Sequence, residues 1–127
     1  MKKIITILAL IVSTTLLFAN YEGESSYESS GMSYNVERSG GQVYLYIQMP
    51  NAEQYSEVQL YRSDNMTESF KRIKYLNADA AAELGTSGLL VDKYPLPARQ
   101  DAYYKIVTTD ANGVQKTYPA VVLESGK

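Results

Sequence analysis

The chain has 127 residues, with 12 Lys and Arg against 14 Asp and Glu for a net charge of −2, a size that suits one domain with a modest core. It contains no Cys, no His and no Trp, which excludes thiol nucleophiles, Ser-His-Asp triads, the usual zinc and copper ligands and any disulfide framework. Its longest basic run is "FKRIK", too short for the clustered stripe that nucleic-acid binding requires.

In chain order, "MKK" is a basic start, "IITILALIVSTTLLF" is an apolar run, and Ala19 precedes the polar "NYEGESS". This is the three-part pattern of a secretory signal peptide, residues 1–19, with cleavage expected after Ala19. The run of about fifteen residues is short of the ~20 needed to span a bilayer, so no membrane span is expected once the signal is removed. Its lysine-headed form suggests a bacterial protein that is secreted, periplasmic or on the cell surface. Removing Lys2 and Lys3 shifts the net charge from −2 to about −4. Residues 20–31, "NYEGESSYESSG", are rich in Ser, Glu and Gly and lack apolar periodicity. Such a segment buries too little to offset its ordering entropy, and a flexible tail is expected.

From residue 32 the pattern is one of short strands between turn signals. "MSYNVER" is a first strand, ended by "SGG". "QVYLYIQMP" alternates, with Val43, Leu45, Ile47 and Met49 on one face and Tyr44, Tyr46 and Gln48 on the other, the period of a half-buried strand. "SEVQLYRS" and "SFKRIKYL" are the third and fourth, with Val58 and Leu60 the inward pair of the third. "NADAAAELG" is the one helical stretch, near residues 77–85, capped by Asn77 or Asp79 and released at Gly85. "LLVDKYP" is the fifth strand. "AYYKIVTT" is the sixth, with Tyr104 and Ile106 inward and Tyr103, Lys105 and Val107 outward. Asn112-Gly113 signals a hairpin into the last strand, "VQKTYPAVVL". Seven short strands without helical periodicity predict an all-β, seven-stranded antiparallel β-sandwich over residues 32–125.

The stretch "VQLYRSDNMTESFKRI…LLVDKYPLPARQDAYYKIVTTDANGVQKTYPAVVL" resembles fibronectin type III modules, particularly those of secreted and surface proteins of bacteria. "YRS" ending the third strand, Phe70 then Ile73 in the fourth, "VDKYPLP" leading into "YYKIVTTDANG", and a Tyr-bearing last strand carry the resemblance. It covers roughly residues 34–124. It implies an immunoglobulin-like sandwich with three strands in one sheet and four in the other. Such modules usually open the sixth strand with a tyrosine that bonds back to the preceding loop. The register set by inward Tyr104 and Ile106 puts Ala102 there, so that contact is expected to be absent.

Function is then a matter of surfaces. The outward face of the four-stranded sheet is expected to show Tyr61, Tyr103 and Lys105, our candidate binding residues, with Tyr44 and Tyr46 on the other sheet. Exposed aromatics anchor a protein or stack a sugar, or pair across strands to stabilise the sheet. The acidic turns "SDN", "DKYP" and "DANG" lack the ligand spacing of a calcium loop and suit ordinary turns; no metal or cofactor is expected. Asn65-Met66-Thr67 fits the glycosylation acceptor pattern on three residues only. The expected function is a non-enzymatic, exported binding or structural module that presents a sheet face or loops to a protein or glycan at the cell envelope, with no nucleic-acid partner. The alternatives are a small secreted enzyme, an enzyme inhibitor acting through the 77–88 loop, and a subunit of a larger surface assembly.

Overall fold

Along Gln42–Gln48, Val43, Leu45 and Ile47 are buried while Tyr44, Tyr46 and Gln48 face outward, as the period of two requires. The computed structural model describes residues 25–126 apart from 30, 50 and 86. The expected signal peptide lies outside the described residues. Within them two antiparallel sheets pack face to face. One contains β1 (Ser26–Ser29), β2 (Met32–Ser39), β3 (Gln42–Gln48) and β6 (Leu89–Asp92), in the order β1-β2-β3-β6. The other contains β4 (Tyr55–Ser63), β5 (Lys71–Leu76), β7 (Ala102–Asp110) and β8 (Gln115–Thr117), in the order β5-β4-β7-β8, and β9 (Val121–Leu123) pairs β7 beyond β8.

The core is built from the inward positions of both sheets. Met32, Tyr34 and Val36 of β2 and the β3 set meet Val58 and Leu60 of β4, Tyr104 and Ile106 of β7, and Val121 and Leu123 of β9. Burying each large apolar side chain stabilises the fold by about 1.5–3 kcal/mol. Gly40 and Gly41, both at positive φ, form the two-residue turn between the paired Ser39 and Gln42. That geometry matches the right-handed twist of the flanking strands.

All seven expected strands are present, and the structure departs from expectation in four places. Part of the expected flexible tail is a strand: Ser26–Ser29 pairs with β2. Tyr27 packs on the rings of Tyr34 and Tyr118, with centroids 5.3 and 6.2 Å away. Two aromatic contacts of one residue and a ladder offset the ordering cost that the polar composition implied. The last strand is divided into β8 and β9 by Pro119, which has no ladder donor to offer. There Tyr34 donates its hydroxyl to the Pro119 carbonyl, and Tyr118 N–H bonds to the Ile106 carbonyl at 2.9 Å.

The final hairpin has a three-residue loop, because Asp110 N–H bonds to the Val114 carbonyl at 3.0 Å. Gly113 takes positive φ and Asn112 does not. The Asp110 carboxylate accepts from Asn112 N–H and Val114 N–H at 2.8 and 2.9 Å, which fixes this wider loop in place of a two-residue one.

The helix α1 (Ala78–Ala82) is capped by Asn77, whose side chain accepts from Ala80 N–H at 3.0 Å. A 3₁₀ turn, Glu83–Gly85, follows. Ala81 and Leu84 are buried against β4 and the 3₁₀ turn Ala52–Gln54, closing one end of the sandwich. The left-handed exit glycine is Gly88 and not Gly85.

Candidate functional site

The chain brings two of the three candidate residues into direct register. Tyr61 on β4 lies opposite Lys105 on β7, and Tyr103 lies opposite Ser63 two residues further along. All three side chains are half-buried. The Lys105 ammonium sits 4.2 Å from the centre of the Phe70 ring and 5.9 Å from that of Tyr61, both within cation–π range. The Tyr61 hydroxyl donates to Gln59 Oε1 at 3.0 Å, and Gln59 Nε2 donates to Glu57 Oε1 at 3.0 Å. Arg72 covers the exposed ring of Tyr75 at 5.2 Å. The groups that a ligand would engage on this face are largely engaged with one another. Cross-strand support accounts for them without a partner.

The outward face of the other sheet is different. Tyr46 and Leu89 are directly paired across β3 and β6, and they are 43% and 40% exposed. Tyr44, paired with Val91, places its ring 6.4 Å from that of Tyr46 in a tilted arrangement. Asn35 and Glu37 on β2 stand opposite Tyr46 and Tyr44. A hollow of about 490 Å³ beside Tyr46 is lined by Ser26, Glu28, Ser33, Asn35 and Gln48, among others. The result is an apolar and aromatic stripe with a hydroxyl and amide margin. Tyr44 and Tyr46 were readable from alternation, whereas Leu89 was not. Its neighbour Leu90 is as apolar, and only the pairing Leu45↔Leu90 turns Leu89 outward.

A polar network that the sequence did not reveal lies inside the fold. Tyr104 is fully buried and donates its hydroxyl to Asp92 Oδ2 at 2.8 Å. The same oxygen accepts from Arg62 Nη1 at 2.8 Å, and Nη1 also bonds to the Tyr94 carbonyl at 3.0 Å. Asp92 Oδ1 accepts from Tyr94 N–H at 3.2 Å. The tie between the sixth expected strand and the segment before it, expected to be absent with Ala102 at the corner, is therefore made by Tyr104. Among the described residues no group of three His, Cys, Asp or Glu is placed to hold a metal. No helix there is long and apolar enough to cross a membrane.

Burial, and then the Asp92 carboxylate, hold the Tyr104 phenol far above its usual range. The folded chain thus keeps this proton where the unfolded chain, with a phenol pKa near 10, has lost it. Stability is expected to be complete below about pH 10 and to fall above it by about 1.4 kcal/mol per pH unit. Urea unfolding at several pH values between about 9 and 11.5 checks this. Tyr104→Phe should show a shallower alkaline decline, and an unchanged slope would place the titrating group elsewhere.

Comparison with solved structures places this architecture. Pectate lyase Pel3 from Pectobacterium carotovorum is similar at 17% identity and a TM-score of 0.58, over 72% of this chain and 26% of that one. Pectate lyase PelI from Erwinia chrysanthemi, solved in complex with tetragalacturonic acid, is similar at 15% and 0.56, over 72% and 27%. The chain therefore spans about a quarter of the pectate lyases that it matches. An Fn3-like protein from Clostridium thermocellum is similar at 20% and 0.52, over 76% of this chain and 90% of that one. No family model and no curated protein matches the chain. The likeness at these identities is one of fold, an Fn3-like β-sandwich.

Proposed function

We propose that this Fn3-like sandwich is a non-enzymatic binding module, exported and presenting the outward face of β1-β2-β3-β6 to a protein or glycan at the cell envelope. The finer assignment, a fibronectin type III domain of the bacterial secreted or surface kind, is supported by the order of its strand and turn motifs. One observation carries the choice of face. Tyr46 and Leu89 expose adjoining apolar surface from directly paired positions, and contiguous apolar surface of this kind marks interaction sites. The hydroxyl and amide groups of Ser33, Asn35 and Gln48 beside the hollow suit a glycan that stacks on tyrosine. The reading in which residues 77–88 act as an inhibitory loop is less well supported, because Ala81 and Leu84 are buried against the sandwich.

The test is capture from the source cell's envelope and culture medium on immobilised residues 20–127. The bound fraction is compared for wild type, Tyr46→Ala/Leu89→Ser and Tyr61→Ala/Tyr103→Ala. A partner retained by wild type and by the second variant, and lost roughly tenfold or more by the first, is the expected result. Equal retention by all three removes this face from consideration, and loss by the second variant alone moves the site to β4 and β7.

A further inference from the structure

Basic charge is concentrated along one side of this acidic chain. Lys71, Arg72 and Lys74 lie on β5, the edge strand of one sheet, and Lys93 directly follows β6, the edge strand of the other. Between the two edges is a hollow of about 350 Å³, lined by Arg62, Ile73, Lys74, Val91, Asp92 and Lys93 and bordered by Tyr94. Its volume lies at the lower end of ligand pockets, which run to about 300–1,000 Å³.

Three cations line this hollow beside one carboxylate, and that carboxylate is already engaged. Asp92 accepts from Arg62 and Tyr104 on one oxygen and from Tyr94 N–H on the other. Among the described residues Arg62–Asp92 is the salt bridge, and neither Lys74 nor Lys93 makes one. Two ammonium groups, one on β5 and one just beyond β6, thus stand at an open hollow without an ion-pair partner. Ile73 and Val91 supply an apolar lining between them. Tyr94 is 85% exposed, an aromatic ring in solvent at the margin of the charged site.

This combination has a specific chemical complement. An ammonium on each side suits carboxylates spaced along a chain. An exposed tyrosine face and an apolar lining suit the C–H surface of a sugar ring, which stacks on aromatics. A bare phosphate would satisfy the lysines but would give the ring and the apolar lining no partner, and polyglutamate would offer them only flexible methylene stems. We infer that the hollow between β5 and β6 binds an acidic polysaccharide, a chain of uronic acid residues whose carboxylates pair with Lys74 and Lys93 while one ring rests on Tyr94. This surface is separate from the Tyr46–Leu89 stripe, and the two can fail independently.

Calorimetric titration of residues 20–127 with polygalacturonate tests the assignment, beside fully methyl-esterified polygalacturonate and polyglutamate. The de-esterified polymer is expected to bind, and to bind more weakly as added salt shortens the Debye length from about 10 Å towards 3 Å. Lys74→Gln/Lys93→Gln should weaken it roughly tenfold or more, the effect of losing a charge-assisted hydrogen bond. Tyr94→Ala should weaken it several-fold, and Lys116→Gln, at an exposed lysine on β8 at the opposite side of the sheet, should leave it unchanged. Far-UV circular dichroism confirms that each variant is folded. Absence of binding overturns the inference, as do binding of the methyl ester or polyglutamate with equal affinity and indifference to the lysine and tyrosine substitutions.

Discussion

Replacing Asp92 by alanine is expected to lower the unfolding free energy by about 3–5 kcal/mol. The change removes the acceptor of a fully buried phenol and the counter-charge of a largely covered guanidinium together. Tyr104 and Arg62 both bond to Oδ2 at 2.8 Å, and the two side chains of the ion pair are only 20% and 6% exposed. A buried donor without an acceptor costs about 1–3 kcal/mol by itself, and an uncompensated charge costs more. For a domain of this size each kcal/mol corresponds to roughly 4–8 °C in Tm, so the thermal transition should fall by well over ten degrees. The complementary variant is Arg62→Met/Asp92→Leu/Tyr104→Phe, which removes the network while filling its space. It should recover most of the loss, because a buried ion pair and a packed apolar group of similar volume are often near parity. A loss below about 1 kcal/mol for Asp92→Ala would be the effect of a solvated pair and would reject the buried network.

The second large effect is expected at Gly88. Its φ is +59°, and a Cβ built there would overlap the carbonyl oxygen of Ile47, with the Leu84 carbonyl at 3.4 Å on another side. The closeness has a function, since Ile47 N–H bonds to the Gly88 carbonyl at 2.7 Å and carries the β3–β6 ladder one residue beyond Leu89. Backbone strain of this kind costs about 1–3 kcal/mol, and the overlap must also displace a backbone carbonyl of the central strand. Gly88→Ala is therefore expected to cost more than about 3 kcal/mol, measured by urea unfolding. Gly85→Ala is the internal control, three residues away. Its added methyl would meet Ala52 Cβ at 3.6 Å, an ordinary contact, without a left-handed backbone. A change there within about 1 kcal/mol of wild type is expected. Equal behaviour of the two variants would mean that β6 shifts freely against β3.

What could be read from the sequence follows the range over which each signal acts. Alternation along residues 42–48 and 102–106 assigned faces correctly, because side-chain direction in a strand is set by position alone. Val107, expected outward, is buried at 6% exposure between its strand partners Gln59 and Thr117. Alternation also placed Tyr61 and Lys105 outward, but not Phe70 over the ammonium, since that contact joins β7 to the loop between β4 and β5. The strand at 26–29 was hidden because its ordering depends on one residue, Tyr27, in an otherwise polar segment. Its rings of contact come from positions 34 and 118. The helix exit was assigned to the nearer glycine on local grounds, whereas close approach to Ile47 decides which glycine must be left-handed. The hollow of Arg62, Lys74 and Lys93 gathers three strands from two sheets, and no window of sequence contains it.

The basic residues of β5 bear on a separate problem, the company that this protein keeps with copies of itself. An outermost strand with unpaired backbone groups is a template for another chain, and natural sheets blunt it with lysines and bulges. β5 has both: Lys71, Arg72 and Lys74 within six residues, and a break in register against β4 between Leu60 and Tyr61. Like charges would face one another if two copies met along this strand, and the bulge twists its backbone away from a straight partner. β8, at the opposite side of the same sheet, is three exposed polar residues that include Lys116, too short to guide an incoming strand. At β5 and β8 the sheet therefore resists fibre-like growth through charge, a bulge and shortness, in a sequence that has no cysteine to supply a disulfide.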